Sequence, residues 1–214
     1  MPDFELIVVK TLEYKRPEID KGYADQTLSV DIANRAVAIN PVEPKTREVF
    51  VGGKGYDLWL LWNAVEPTTG WNDPANAICI ASGPLGGTPN YPGSGKSIVT
   101  SLSPLTGSVI DSNVGGYFGP YLKFSGFDAL QIQGKASRDT VIYIDGIDGR
   151  VQILAADGLP DNAYELSDLL TGHFGGGKPR SISVVSAGPG ARNTLIGCLN
   201  FTWYDAKRKR ARYK

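Results

Sequence analysis

Apolar and polar positions alternate along residues 27–32, with Leu28, Val30 and Ile32 on one side, and again along 37–39 after Asn34-Arg35. A period of two on either side of a turn predicts a β-hairpin. Across residues 55–65 the period lengthens. Leu58, Leu61, Trp62 and Val65 fall three and four apart, which predicts a helix. Asp73-Pro74 interrupts the pattern, and residues 77–81 then read as a buried strand closing on Ser82-Gly83-Pro84. Two more strands are predicted at 97–102 and 108–111, around a turn at Pro104-Leu105-Thr106-Gly107. Residues 117–124 read as a short helix stopped by Ser125-Gly126. Segments 129–133, 141–145 and 151–154 alternate as strands, 162–170 is helical with Gly172 as its stop, and 181–186 is a strand ending at Ala187-Gly188-Pro189. Residues 1–24 are charged and aperiodic, an N-terminal extension able to add an edge strand. The main domain is expected over 25–206, with a basic tail over 207–214.

One echo runs through this pattern. Ile78-Cys79-Ile80-Ala81-Ser82-Gly83-Pro84 and Ser183-Val184-Val185-Ser186-Ala187-Gly188-Pro189 each close a hydrophobic strand on small residues and Gly-Pro. An internal duplication would place two such turns at one rim of the fold; chance similarity between two buried strands is the alternative.

The chain has 214 residues, and 42% of them are apolar, enough for a sizeable core. Its hydrophobic runs are strand-sized, far short of the ~20 residues a bilayer needs. Residues 1–9 carry Asp3 and Glu5 and lead to no small-residue cleavage site, so a cytoplasmic location is expected. Two cysteines, Cys79 and Cys198, and one histidine, His173, exclude a self-contained four-cysteine iron–sulfur site or zinc ribbon. Net charge is zero, yet residues 207–214 hold six of the 22 basic groups and leave 16 basic against 22 acidic groups in the rest. Basic–aromatic interleaving is missing elsewhere, so the tail is not read as a nucleic-acid arm.

Glycine changes the picture most. Its 26 copies cluster between elements, where they mean tight turns or backbone held close to a ligand. Asn90-Tyr91-Pro92-Gly93-Ser94-Gly95-Lys96-Ser97 imitates a phosphate-binding P-loop, but Asn90 replaces the first glycine and a strand, not a helix, is predicted to follow. What remains is a glycine-rich loop with one lysine, suited to an anion. Asp111-Ser112-Asn113-Val114-Gly115-Gly116-Tyr117-Phe118-Gly119 sets an asparagine and two glycines where a helix is predicted to begin. Asn113 offers hard oxygen donors fit for Mg²⁺; an Asn N-cap with glycines for tight packing is the other reading.

Several blocks in fixed order carry a family resemblance. They are Ala81-Ser82-Gly83-Pro84-Leu85-Gly86-Gly87-Thr88, Thr100-Ser101-Leu102-Ser103-Pro104-Leu105-Thr106-Gly107, Gly115-Gly116-Tyr117-Phe118-Gly119, Leu122-Lys123-Phe124-Ser125-Gly126-Phe127-Asp128-Ala129 and Gly134-Lys135-Ala136. Over residues 27–200 the series resembles the N-terminal domain of the tungsten-containing aldehyde ferredoxin oxidoreductase family. The resemblance implies an α+β base of two similar α/β halves with mixed sheets, cradling a tungsten bis-pterin cofactor whose two phosphates share a Mg²⁺. It further implies that Asn113 ligates this Mg²⁺, that Val114 and Gly115 lie in the adjoining pterin loop, and that Lys96 stands where the family has an arginine. A lysine neutralises phosphate but lacks the guanidinium fork. Lys214 aligns with a basic residue flanking a second pterin segment.

By the same resemblance, the whole enzyme oxidises an aldehyde with water to a carboxylic acid and passes electrons through a four-iron four-sulfur cluster to ferredoxin. Relatives reduce aromatic thioesters, so the substrate stays open, and no catalytic residue is assigned in this chain. The cluster ligands are expected in missing C-terminal domains or a larger partner chain, which makes this chain a fragment or a separately encoded subunit. A redox-inactive assembly module of the same fold that docks with a larger partner is the rival reading. A simple phosphate-ligand binder using the loop at Gly93 to Lys96 is the third.

Overall fold

The computed structural model describes residues 4–196 and 198–213. Its largest sheet has six strands in the order β3 (Ala36–Pro41), β2 (Gln26–Asp31), β7 (Ala129–Gln133), β4 (Ala77–Ala81), β5 (Ser97–Leu102) and β6 (Val109–Val114). The β2 and β7 strands pair in parallel, and the other neighbours are antiparallel. A second sheet runs β1 (Glu5–Glu13), β9 (Arg150–Asp157), β8 (Thr140–Asp145), and a third runs β10 (Val185–Ala187), β11 (Leu199–Asp205), β12 (Arg210–Tyr213). The helices are α1 (Pro44–Phe50), α2 (Lys54–Ala64), α3 (Phe118–Phe124), α4 (Ala163–Gly175) and α5 (Pro189–Asn193). No helix among the described residues is long and apolar enough to cross a membrane.

Strand alternation decides which face carries which layer. Leu28 lies opposite Leu130, and Val30 opposite Ile132, across the β2–β7 pair. Leu28, Val30 and Leu130, with Leu122, Phe127, Val151 and Ile153, form the main core between the six-stranded sheet, α3 and the central strand of the second sheet. Burying each such side chain contributes about 2 kcal/mol. The opposite face offers Ala77, Cys79 and Ala81 from β4. These small side chains let α2 lie close, with Tyr56 and Leu61 filling the gap. That packing holds the first turn of α2 at one rim of the sheet.

Several expected elements differ in extent. The helix at 162–170 continues to Gly175, because Gly172 meets open space and the left-handed Gly176 makes the actual stop. Asn162 caps its start, accepting from the Tyr164 and Glu165 amides at 2.9 and 3.3 Å. The strand at 181–186 shrinks to Val185–Ala187 after a 3₁₀ turn at Pro179–Ser181. Residues 5–13 form an edge strand against β9. The basic tail forms β12, antiparallel to β11, with Asp205 closing the turn on the Lys207 and Arg208 amides.

The internal duplication is not shown. β4 lies inside the six-stranded sheet between β7 and β5, whereas β10 is the edge of a three-stranded sheet with β11 as its one neighbour. Small residues followed by Gly-Pro end a strand in both places without equivalent surroundings.

Candidate functional site

The antiparallel order brings the end of β4, the start of β5 and the end of β6 to one rim. The start of α2 joins them, for the Gly53 amide donates to the Ser82 carbonyl at 3.3 Å. Four glycine-bearing segments, 52–55, 82–87, 93–96 and 113–116, therefore converge. Gly95 is required by this convergence: a Cβ there would sit 2.6 Å from the Gly116 carbonyl oxygen, and Gly116 has a φ of +132° that side chains rarely adopt.

Asn113 lies inside β6, opposite Ile98, and not at the start of a helix. The N-cap of α3 is Tyr117, which makes no side-chain cap bond. Pairing with β5 carries the strand on to Val114, and the two glycines make the turn before α3. The N-cap reading of Asn113 is therefore set aside. Its side chain is exposed and makes no hydrogen bond among the described residues. Ser97 pairs with Val114, so one further step of the register sets the exposed Lys96 opposite the half-buried Gly115. Lys96 leads into a strand, which removes the P-loop reading on structural grounds.

Behind this loop runs β11. A Cβ on Gly116 would lie 3.4 Å from the Thr202 carbonyl oxygen, and the Tyr117 hydroxyl donates to the Tyr204 carbonyl at 3.0 Å. Arg212 pairs across from Trp203, so β12 returns toward the same loop. Lys214 lies outside the described residues.

Two features of the rim escaped the sequence reading. Lys54, in the first turn of α2, reaches Asp111 Oδ1 at 2.6 Å. Beneath it, Asp57 is completely buried against the Thr100 hydroxyl, and burial pushes its carboxyl up to about 8. Burial thus favours the protonated acid over the carboxylate beneath the rim. The glycine cluster at 52–55 was the available signal; only the fold shows that it meets the other three.

The donor set fits a phosphate-bearing group with a hard cation. It offers an unpartnered carboxamide oxygen, an exposed ammonium, glycine backbone that lets a ligand come close, and a buried Ser82 hydroxyl with no partner among the described residues. The two concavities elsewhere, one lined by Ile32, Arg35 and Arg138 and the other by Ser29, Gln131 and Gln133, include none of these residues. Lys96 and Asn113 are both exposed, so the rim presents them to solvent as a ledge.

Comparison with known proteins gives the family. The family description "Aldehyde ferredoxin oxidoreductase, N-terminal domain" matches residues 27–213. This chain belongs to that family. A tungsten-containing aldehyde ferredoxin oxidoreductase of Pyrococcus horikoshii is 30% identical over 174 residues, which is 81% of this chain and 28% of that protein. Its Pyrococcus furiosus counterpart is 36% identical over 117 residues, 55% of this chain and 19% of that protein. Among solved structures, the active site complex BamBC of benzoyl coenzyme A reductase with 1,5 dienoyl-CoA matches with a TM-score of 0.75 at 26% identity, over 84% of this chain and 27% of that one. The chain thus spans between just under a fifth and just over a quarter of the length of the curated relatives it matches.

The glycine contact at this rim is testable. Gly95→Ala is expected to lower stability by about 1–3 kcal/mol through overpacking against Gly116. Gly172→Ala, in a helix and facing open space, is expected to raise it by about 0.5–1 kcal/mol. Urea unfolding of the two variants checks both, and equal midpoints would count against the close approach.

Proposed function

We propose that this chain is the cofactor-cradling domain or subunit of a cytoplasmic tungstopterin oxidoreductase that oxidises aldehydes to carboxylic acids and delivers the electrons to ferredoxin. The observation that carries the reading is the convergence of Lys96, Asn113, Val114 and Gly115 on one glycine-lined rim. The bound tungstopterin supplies the redox chemistry. Asn113 would present its carboxamide oxygen to a Mg²⁺ between the pterin phosphates, since its side chain is not spent within the fold. Lys96 would set an ammonium against the same phosphates, and the backbone at Val114 and Gly115 would hold the adjoining pterin edge. Phosphates held together in a partly desolvated site would repel one another, and a divalent cation and a lysine would offset that repulsion. The iron–sulfur cluster and the ferredoxin contact fall to the length that the relatives have beyond this domain, whether in the same chain or a partner.

The test is cofactor content in the complete, loaded assembly. Asn113→Ala is expected to lower tungsten and pterin per chain about tenfold with unchanged circular dichroism. Lys96→Ala, which removes a solvent-screened charge, is expected to lower them about threefold. Full occupancy in a well-folded Asn113→Ala variant would return this loop to a purely structural role and favour the redox-inactive docking module.

A further inference from the structure

Asp111 and Asn113 are two residues apart on β6, so alternation sets both on one face, opposite Thr100 and Ile98 of β5. Both carry hard oxygen. A free carboxylate beside a free carboxamide would favour a divalent cation directly and repel phosphate. Lys54 prevents this, with Nζ 2.6 Å from Asp111 Oδ1. The Asp111 side chain is 28% exposed and that of Lys54 56%, so the pair lies at the ledge surface where an incoming ligand meets it. Asp111 is thereby spent, while Asn113 two residues on is not.

We infer that Lys54 is a specificity-determining residue of the ledge: by holding the Asp111 carboxylate, it makes this end of the sheet a phosphate site and keeps Asp111 from becoming a cation ligand. The inference rests on the cradle reading above. It assigns the two charges at the rim that the reading leaves unused. With Lys54 in place, Lys54, Lys96 and Asp111 sum to one positive charge. Without it they sum to zero, with a carboxylate released next to Asn113.

The test uses the full chain without cofactor, with Mn²⁺ (by water-proton relaxation) and inorganic pyrophosphate (by calorimetry) as probes. Lys54→Met is expected to tighten Mn²⁺ binding and weaken pyrophosphate binding, each about fivefold for a solvent-screened charge. Adding Asp111→Asn to Lys54→Met should abolish the gain in Mn²⁺ affinity, and Lys54→Arg should leave both ligands near the unaltered values. Opposite movement of the two affinities is the diagnostic, because a pair that only ties β6 to α2 would weaken both ligands together and reduce amide protection over residues 109–114. Any Lys54→Met result in which the affinities do not move in opposite directions overturns the inference. If pyrophosphate binding depends on Asn113 but not on Lys54, the cradle reading survives alone. If the unaltered chain binds no pyrophosphate, both fall.

Discussion

Asp128→Ala is expected to cost the chain about 4 kcal/mol, a large share of the 5–15 kcal/mol that usually separates folded from unfolded protein. Asp128 and Lys123 form an ion pair with both side chains almost wholly buried. The aspartate also accepts the Ala24 and Asp25 amides at 3.1 and 2.7 Å, and the lysine donates to the Gly22 carbonyl at 2.7 Å. Removing the carboxylate leaves the buried ammonium without its counter-charge and takes the acceptor from the buried Ala24 amide and the half-buried Asp25 amide. Lys123→Met should cost less, about 2 kcal/mol, because the carboxylate keeps its two amide donors. The order follows from which partner leaves more polar groups unsatisfied. Urea unfolding gives both values, and a Lys123→Met variant less stable than Asp128→Ala would reverse the argument. The consequence reaches the site. The Asp128 carbonyl accepts the Ser82 amide at 3.4 Å, and Gly22 lies against the Pro84 backbone, so this lock supports the turn on which α2 begins.

The Leu122-to-Ala129 block illustrates what the sequence made legible and what it did not. As letters it marked a family; as a structure it is an ion pair holding residues 22–25 to the sheet, which no periodicity reveals because the partners are about a hundred residues apart. Strands β2, β4, β5 and β7 were readable, since one face of each meets a core and the alternation is clean. Helix α1 was not. It has seven residues, none buried, so no apolar stripe betrays it. β12 read as a charge run because its Arg210 and Arg212, with Lys209 just before them, dominate, while the cause of its folding is pairing to β11 and the Asp205 turn. At the site, Asn113 and Lys96 were legible as residue types beside glycines. Their position across one strand pair was not, nor was the part played by Lys54, which comes from a different element.

Asp57→Asn should flatten the dependence of stability on pH between about 4.5 and 8, and the reason lies in where the proton sits. Burial raises the Asp57 carboxyl to about 8, outweighing the Thr100 hydroxyl bond and the Ala81 amide bond that favour its ionised form. An unfolded aspartate titrates near ~3.9. Below that value both states hold the proton and the group does not affect stability's slope. Between there and pH 8 the unfolded chain has lost the proton and the folded chain keeps it, so stability falls as pH rises; above 8 both are ionised and the loss levels off. The loss over that window is on the order of 5 kcal/mol for a fully buried group. Asparagine keeps the shape and never ionises. The variant should therefore come close to the unaltered chain near pH 4.5 and exceed it by about 4 kcal/mol more at pH 8. Working above pH 4.5 isolates this group, because Asp31, held low by the Asn34 amide, and Asp205, held low by Arg208, change stability only at lower pH. Urea unfolding at pH 4.5, 6 and 8 decides it: parallel profiles for the two proteins would show that Asp57 stays ionised in the fold. In that case a negative charge would lie beside Thr100, one strand from Asp111, and the single positive charge at the ledge would be cancelled from below.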